Sequence, residues 1–371
     1  MPNLILIAIL RTFGAGRSAR VFRSPHDLEV RVPRRTRPLL AAAATVVVAA
    51  MLAACGGTAG QGGSPAPDAA PPAPAGATDQ FPVTIQHKLG TTTIPAEPKR
   101  IIALSYEEDT LGALGITPVA YGSNDYLPGG KYPWLAGKID LSGSMELKNV
   151  FTAPSLEQIA GLKPDLILAT NYYGLENYYS QLSQIAPTVG YPEEAGTSSW
   201  QVISRMIGKA VGRSAQTEQA IAATEGDISA LAARLPGLKG KTFSSSFYYD
   251  PGQPFAVIDD PATISVALYT QLGLVLSPTV TSTVKDRSLS MEQIGSLDAD
   301  FMSIGFATPE LRSSLEAAPA YQAIPAVQAG RAYEADAFTA QTFNNPTLLN
   351  IPWQLDQITP TLEKVAAGAA G

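Results

Sequence analysis

Residues 156–167, LEQIAGLKPDLI, return as residues 291–302, MEQIGSLDADFM, and this internal repeat decides the fold. Each copy is typical of a short amphipathic helix that leads into a buried strand. A solenoid would need more than two copies, so the pattern predicts two similarly built lobes. A chain of 371 residues is long enough to form both.

Strand and helix patterns alternate through the first predicted lobe. Residues 83–94 alternate apolar and polar side chains around Gly90, which predicts a β-hairpin that contains His87. Residues 100–104 then form an apolar run, followed by a helical pattern over 107–114 that Gly115 closes. Strand-helix alternation of this kind predicts an α/β fold with parallel sheets. We expect His87 to be structural, because no metal-ligand cluster surrounds it in sequence.

A long helix is predicted between the repeats, over residues 214–235. Its apolar stripe, spaced by three and four residues, consists of Ile221, Thr224, Ile228, Leu231 and Leu235. We therefore expect two Rossmann-like lobes, residues 81–213 and 237–371, joined by a single interlobe helix at 214–236. The ligand cleft should lie between the lobes. A rigid connector about 30 Å long predicts only a modest closure.

The N-terminal residues 1–54 are typical of a bacterial signal peptide. Four arginines in residues 31–37 precede the charge-free run 39–54, which is too short to span a membrane comfortably. Residues 52–55, LAAC, resemble a lipobox, which predicts lipidation of Cys55 and anchoring at the outer face of the cytoplasmic membrane. The first thirty residues precede an otherwise complete signal, so we expect the true start near Val30 or Val32.

The export route and the tether follow from the same region. General secretion is expected over the twin-arginine route, because the residues after Arg34 and Arg35 match that signal poorly. Residues 56–80 are rich in Gly, Ala, Pro, Ser and Thr and predict a semi-extended tether. The folded part should therefore stand off the membrane.

Composition excludes several classes of function. One cysteine and two histidines exclude disulfide frameworks, Cys/His zinc sites and Cys-His dyads. Eight arginines fall in residues 1–54 with two acidic residues, which leaves 18 basic and 30 acidic residues downstream. This net charge of −12 argues against a nucleic-acid partner.

The order of several short motifs resembles the iron-siderophore substrate-binding proteins of ABC importers, a class that also holds haem and vitamin B12 binders. The motifs are residues 91–94 and 98–102, 111–119, 156–167, 186–189, 290–292 and 327–333. The resemblance implies a monomeric binding protein that delivers a ferric siderophore to a permease dimer with a cytoplasmic ATPase. It also implies that Glu157 and Glu292, one per lobe, seat the binder on permease arginines. The alternative is that each is a solvated glutamate at a helix start.

Ligand contacts are expected just after the predicted strands, because ligands of α/β lobes bind at the C-terminal ends of strands. Large rings concentrate there and suit flat catecholate or hydroxamate ligands, although about half should pack in the core. The candidate rings are Tyr106, Tyr126, Trp134, Tyr172, Tyr173, Tyr248, Tyr249, Phe306 and Phe338. Because many siderophore chelates are anionic, we also expect a cation from Arg287, Arg312 or Lys131.

Iron should arrive inside its chelator, with no protein cofactor and no direct metal ligand, because the histidines of bare-metal importers are missing. Haem remains an alternative if Tyr172 or Tyr248 ligates it axially, and so does cobalamin. A carboxylate-dependent hydrolase is the different-class alternative, built on residues 107–109 or 259–260. Both acidic groups stand where helix starts favour them, so we expect no enzyme activity.

Overall fold

The computed structural model describes residues 79–123 and 132–368 of the chain. The signal peptide, Cys55, nearly all of the tether, Tyr126 and Lys131 lie outside these ranges. Within them, no helix is long and apolar enough to cross a membrane.

The first part of the described chain begins with a two-stranded hairpin and continues into a parallel sheet. The hairpin pairs β1 (Val83–His87) with β2 (Gly90–Ile94). The first sheet contains β3 (Ile101–Ala103), β4 (Ala120–Gly122), β5 (Met145–Leu147), β6 (Leu166–Ala169) and β7 (Thr188–Gly190). Its order is β5-β4-β3-β6-β7, and all neighbours are parallel. Helices cover it as α1 (Glu107–Ala113), α2 (Leu156–Gly161), α3 (Tyr179–Ile185) and α4 (Trp200–Ala210).

A second sheet occupies the later part of the chain. Its strands are β8 (Thr242–Tyr248), β9 (Phe255–Val257), β10 (Val275–Leu276), β11 (Ser288–Leu289), β12 (Phe301–Phe306) and β13 (Ala332–Ala335). The order is β11-β9-β8-β12-β13, with β10 parallel to the start of β8. The central strands β8, β12 and β13 are parallel, whereas β9 and β11 run antiparallel to their neighbours. Two largely parallel sheets confirm the predicted α/β class.

The remaining helices pack around the second sheet. They are α5 (Ser214–Arg234), α6 (Ala267–Gln271), α7 (Pro278–Thr283), α8 (Pro309–Glu316), α9 (Pro319–Gln322), α10 (Pro325–Gln328), α11 (Ala337–Asn344) and α12 (Asn350–Ala367). Short 3₁₀ helices occur at Pro133–Leu135, Leu175–Asn177, Pro236–Leu238, Ile264–Val266 and Met291–Leu297. The second copy of the repeat is therefore a 3₁₀ helix, while the first copy is the α-helix α2.

The long helix α5 forms where its periodicity predicts. Its buried positions include Ile221, Thr224, Ile228 and Leu231, and the three aliphatic side chains join the core of the second sheet. Its first turn lies so close to α4 that a Cβ on Gly208 would clash with Thr217 Oγ1. Gly208 therefore permits the two helices to touch. The role of α5 as the hinge between lobes stays a prediction.

Candidate functional site

The C-terminal end of the first sheet opens into a pocket, which we call the cleft cavity and whose empty volume, open solvent included, is about 460 Å³. Residues directly after β3 and β6 form one wall, namely Ser105, Tyr106, Thr170 and Asn171. Helix α4 adds Trp200, and the opposite wall comes from the second half of the chain, with Ile264 and residues 345–347. This is the edge of a parallel sheet where α/β proteins bind their ligands.

Glu107 holds the two strand ends of this wall together. Its carboxylate accepts hydrogen bonds from the backbone N–H of Ser105 at 2.7 Å and of Thr170 at 2.6 Å. The hydroxyls of the same two residues donate to it at 2.6 and 2.8 Å. Ser105 Oγ in turn accepts the backbone N–H of Asn171 at 3.0 Å. Four neutral donors thus satisfy a buried carboxylate that lines the cleft cavity.

Tyr106 occupies the left-handed backbone region, with φ of 72°. A non-glycine residue in this region is uncommon, and such strain concentrates at functional sites. Its ring lies against Phe151 with centroids 6.4 Å apart, and its hydroxyl accepts a hydrogen bond from Gln341 Nε2 at 2.8 Å. Tyr106 is therefore held in the lining of the cleft cavity by groups from both halves of the chain.

Two further acids lie behind Glu107 on α1, and both are almost fully buried. Burial raises the pKa of Glu108 well above its ordinary value, and the neighbouring charge of Asp109 adds to this effect. Burial also raises the pKa of Asp109 to about 6, although the Thr347 hydroxyl, which donates to its carboxylate, opposes the shift. In the described residues Glu108 Oε2 has no hydrogen-bond partner. The prediction that these acids begin a helix is confirmed, since α1 starts at Glu107, but the sequence pattern did not indicate their burial.

Several contacts join the two halves of the chain beside the cleft cavity. Asn171 Nδ2 donates to Asn345 Oδ1 at 2.9 Å, alongside the Gln341–Tyr106 and Thr347–Asp109 hydrogen bonds. An aromatic cluster lies beside them, in which Trp134 stacks on Phe338 at 5.6 Å and an interplanar angle of 3°. Trp134 also contacts Trp353 at 5.2 Å. Residues far apart in sequence therefore meet around one cavity.

The predicted ligand aromatics divide between the cleft and the core. Tyr106 lines the cleft cavity, and Trp134 and Phe338 form the aromatic cluster. Tyr172, Tyr248 and Phe306 are almost fully buried within the hydrophobic cores, so they belong to the share expected to pack there. Tyr173 and Tyr249 are partly buried, with the Tyr173 hydroxyl against Gly196. The roles of all these rings in ligand binding stay predictions.

The two predicted arginines make ion pairs outside the cavity lining. Arg287 lies 3.5 Å from Asp259, and Arg312 contacts both Glu316 and Glu334 at 2.8 Å. Neither side chain lines the cleft cavity. The ligand residues predicted from the sequence were aromatic rings and cationic side chains. The small polar residues that follow β3 and β6 and line the cleft cavity were therefore missed.

The two repeated glutamates occupy equivalent places in the two copies of the repeat. Glu157 lies in the first turn of α2, and Glu292 lies in the first turn of the 3₁₀ helix Met291–Leu297. Both are exposed, and neither makes an ion pair within the ranges 79–123 and 132–368. They are thus available for a partner, but docking stays a prediction.

Residues 141–338, more than half of the chain, match the sequence profile of the periplasmic binding protein family. The chain belongs to this family. The described part of this periplasmic binding protein contains no group of three or more His, Cys, Asp or Glu side chains that could hold a metal ion.

Relatives of this periplasmic binding protein are described as binding proteins rather than enzymes. It is 36% identical over 188 residues to the probable siderophore-binding lipoprotein YfiY of Bacillus subtilis, covering 47% of this chain and 55% of YfiY. YhfQ of the same organism, described as a putative ABC transporter substrate-binding lipoprotein, is also 36% identical, with 40% of this chain and 45% of YhfQ covered. The chain thus spans about half the length of these two relatives. The Fe(3+)-citrate-binding protein YfmC is 26% identical, with 70% of this chain and 80% of YfmC covered.

Solved structures support the same architecture. A periplasmic solute binding protein of Mycobacterium smegmatis matches with a TM-score of 0.68 and 27% identity, over 76% of this chain and 98% of that protein. PiaA of Streptococcus pneumoniae in complex with ferrichrome matches with a TM-score of 0.63 at 22% identity, over 77% and 99%. The predicted two-lobe binding-protein fold is therefore confirmed.

Proposed function

We propose that this periplasmic binding protein captures a ferric siderophore outside the cytoplasmic membrane and delivers it to an ABC importer. The observation that carries the proposal is the cleft cavity at the strand ends of the first sheet, walled by residues from both halves of the chain. Its lining combines apolar and polar side chains at the edge of a parallel sheet where α/β proteins bind their ligands. The names of YfiY and YfmC support a ferric chelate as the ligand.

The haem alternative loses support from the two tyrosines on which it depends. Tyr172 has no exposed surface, and its hydroxyl donates to the Val150 carbonyl. Tyr248 is buried against Phe255, with ring centroids 4.7 Å apart. A haem iron needs an accessible axial oxygen. Haem and cobalamin therefore serve as the competing ligands in the binding test.

The binding test is calorimetric titration of the full chain, held in mild detergent, with ferric and iron-free siderophores, haem and cobalamin. We expect submicromolar affinity for one ferric chelate and weaker binding of the same chelator without iron. Binding of haem or cobalamin alone would replace the proposed cargo. No binding across the panel would contradict the proposed function.

We further propose that Cys55 anchors the protein by its lipid and that Glu157 and Glu292 contact the permease dimer, which works with a cytoplasmic ATPase. Two exposed carboxylates at equivalent places, unpaired in the described residues, can fix both position and orientation on basic side chains. We expect the lobes to move only slightly when the ligand binds, because hydrogen bonds and stacked rings already join the two halves of the chain.

The docking test compares the Glu157→Ala/Glu292→Ala variant with the matched variant Glu310→Ala. Glu310 is also an exposed glutamate in the first turn of a helix, but it lies outside the repeat. We expect the double variant to keep ligand affinity and lose uptake of radiolabelled ferric chelate into cells, while Glu310→Ala keeps both. Loss of affinity with retained uptake, or an equal loss in Glu310→Ala, would refute the docking assignment.

A further inference from the structure

The lining of the cleft cavity contains no cationic side chain among the described residues. Its polar members are mostly neutral hydroxyls and amides, including those of Ser105, Thr170, Asn171, Ser198 and Asn345. Its apolar surface includes one face of α4 around Trp200. Glu107 supplies the one carboxyl side chain of the lining in the part of the chain that the structure describes. The described lining thus consists of neutral groups and an acid.

Among residues 79–123 and 132–368, Glu107 has no counter-ion. All four of its hydrogen-bond donors come from Ser105 and Thr170, and each is a neutral N–H or O–H group. No ion pair in the described part of the chain involves Glu107, Glu108 or Asp109. A carboxylate whose charge is not offset repels anions most strongly where water is excluded. The wall therefore disfavours a negatively charged ligand.

The arginines that could offset this charge already have acidic partners. Arg287 lies beside Asp259, and Arg312 bridges Glu316 and Glu334. Moving either arginine into the cavity would leave those carboxylates unpaired. The net charge of −12 over residues 55–371 acts in the same direction at longer range.

We infer that the cleft selects ferric chelates of neutral or positive net charge and discriminates against anionic ones. The inference rests on the proposed function and deepens it by naming the class of cargo. Trihydroxamate chelates fit this requirement, since three hydroxamates neutralise ferric iron and an added amine makes the complex cationic. Catecholate and citrate chelates are anionic. The neutral polar groups of Asn171 and Ser198 suit hydroxamate and amide oxygens, while Trp200 suits the methylene chains between them.

The test titrates the full chain with four probes: cationic ferrioxamine B, neutral ferrichrome, anionic ferric enterobactin and anionic ferric dicitrate. We expect ferrioxamine B or ferrichrome to bind at least about tenfold more tightly than either anion. Added salt should weaken ferrioxamine B binding and leave ferrichrome binding nearly unchanged. Tightest binding of enterobactin or dicitrate would overturn the charge inference and leave the proposed function standing. No binding of any of the four would also overturn the charge inference, whereas the proposed function is refuted only by no binding across the wider panel of siderophores.

A charge introduced at Ser198 gives a second, independent test. Ser198 lines the cavity, is only partly buried and makes none of the side-chain hydrogen bonds described above. Ser198→Lys should weaken ferrioxamine B binding and strengthen ferric enterobactin binding, each by about tenfold, whereas the neutral control Ser198→Gln should shift both probes equally. An equal response of the two probes to Ser198→Lys would overturn the inference.

Discussion

Asp109 is a buried acid whose ionisation we expect to change the stability of the fold measurably. Burial raises its pKa from the ordinary value of 3.8 to about 6. The unfolded chain releases this proton near the ordinary pKa, while the folded chain keeps it until about pH 6. The free energy of unfolding should therefore fall as the pH rises through this window and stay lower above it. The difference between the two pKa values sets an upper bound of about 3 kcal/mol.

The assay is urea unfolding of the wild type and Asp109→Asn at intervals from about pH 4 to about pH 8. Asn keeps an oxygen that can accept the Thr347 hydroxyl, so we expect the variant to be more stable than the wild type at neutral pH. The gain should shrink as the pH falls. The charge of Asp109 also raises the pKa of Glu108. The same pH series on Glu108→Gln and on the double variant therefore separates the contributions of the two acids to the free energy of unfolding.

Asp140→Asn is the matched control. Asp140 is exposed, and hydrogen bonds from Ser142 lower its pKa, so its loss should reduce stability slightly at neutral pH. Parallel pH profiles for the wild type and Asp109→Asn would refute the reasoning, because they would mean that Asp109 ionises alike in the folded and unfolded chain.

Three further outcomes can be measured by thermal or urea unfolding. Gly208→Ala should lower the free energy of unfolding by about 1–3 kcal/mol, because the added Cβ would clash with Thr217. The control Gly226→Ala has open space around the added Cβ and should raise the free energy of unfolding by about 1 kcal/mol. Trp134→Ala should cost about 3–5 kcal/mol, and a cost below about 1 would contradict its packing role. Burial lowers the pKa of His87, so neutral His87 contributes fully to the free energy of unfolding above pH 6.5, and this contribution is lost as the pH falls below that value. In His87→Gln the free energy of unfolding should therefore depend less on pH below 6.5.

The sequence predicts the sheets better than it predicts the cavity, because the former depend on local patterns. The repeat correctly places a helical turn before each of β6 and β12. Only the first copy becomes an α-helix, and there the Ser155 side chain accepts the backbone N–H of Gln158 as a cap. In the second copy Ser290 makes no such cap, and the segment is a 3₁₀ helix.

The walls of the cleft cavity depend instead on contacts over long sequence distances. Thr347 meets Asp109 across 238 positions, and Gln341 meets Tyr106 across 235. No local periodicity encodes such pairs. The rule that ligands lie beyond strand ends does find Ser105 and Thr170, but the preference for large rings selected side chains such as Tyr172, which hydrophobicity draws into the core.

The three tryptophans lie where their fluorescence and circular dichroism can report on ligand binding without an added label. Trp200 lines the cleft cavity, whereas Trp134 and Trp353 pack together in the cluster that joins the two halves. A coloured ferric chelate would quench emission from Trp200 on arrival. A change in the angle between Trp134 and Trp353, now 51°, would alter the near-ultraviolet circular dichroism of that pair. Ligand arrival and movement of the walls therefore have separate spectroscopic signatures in the unlabelled chain.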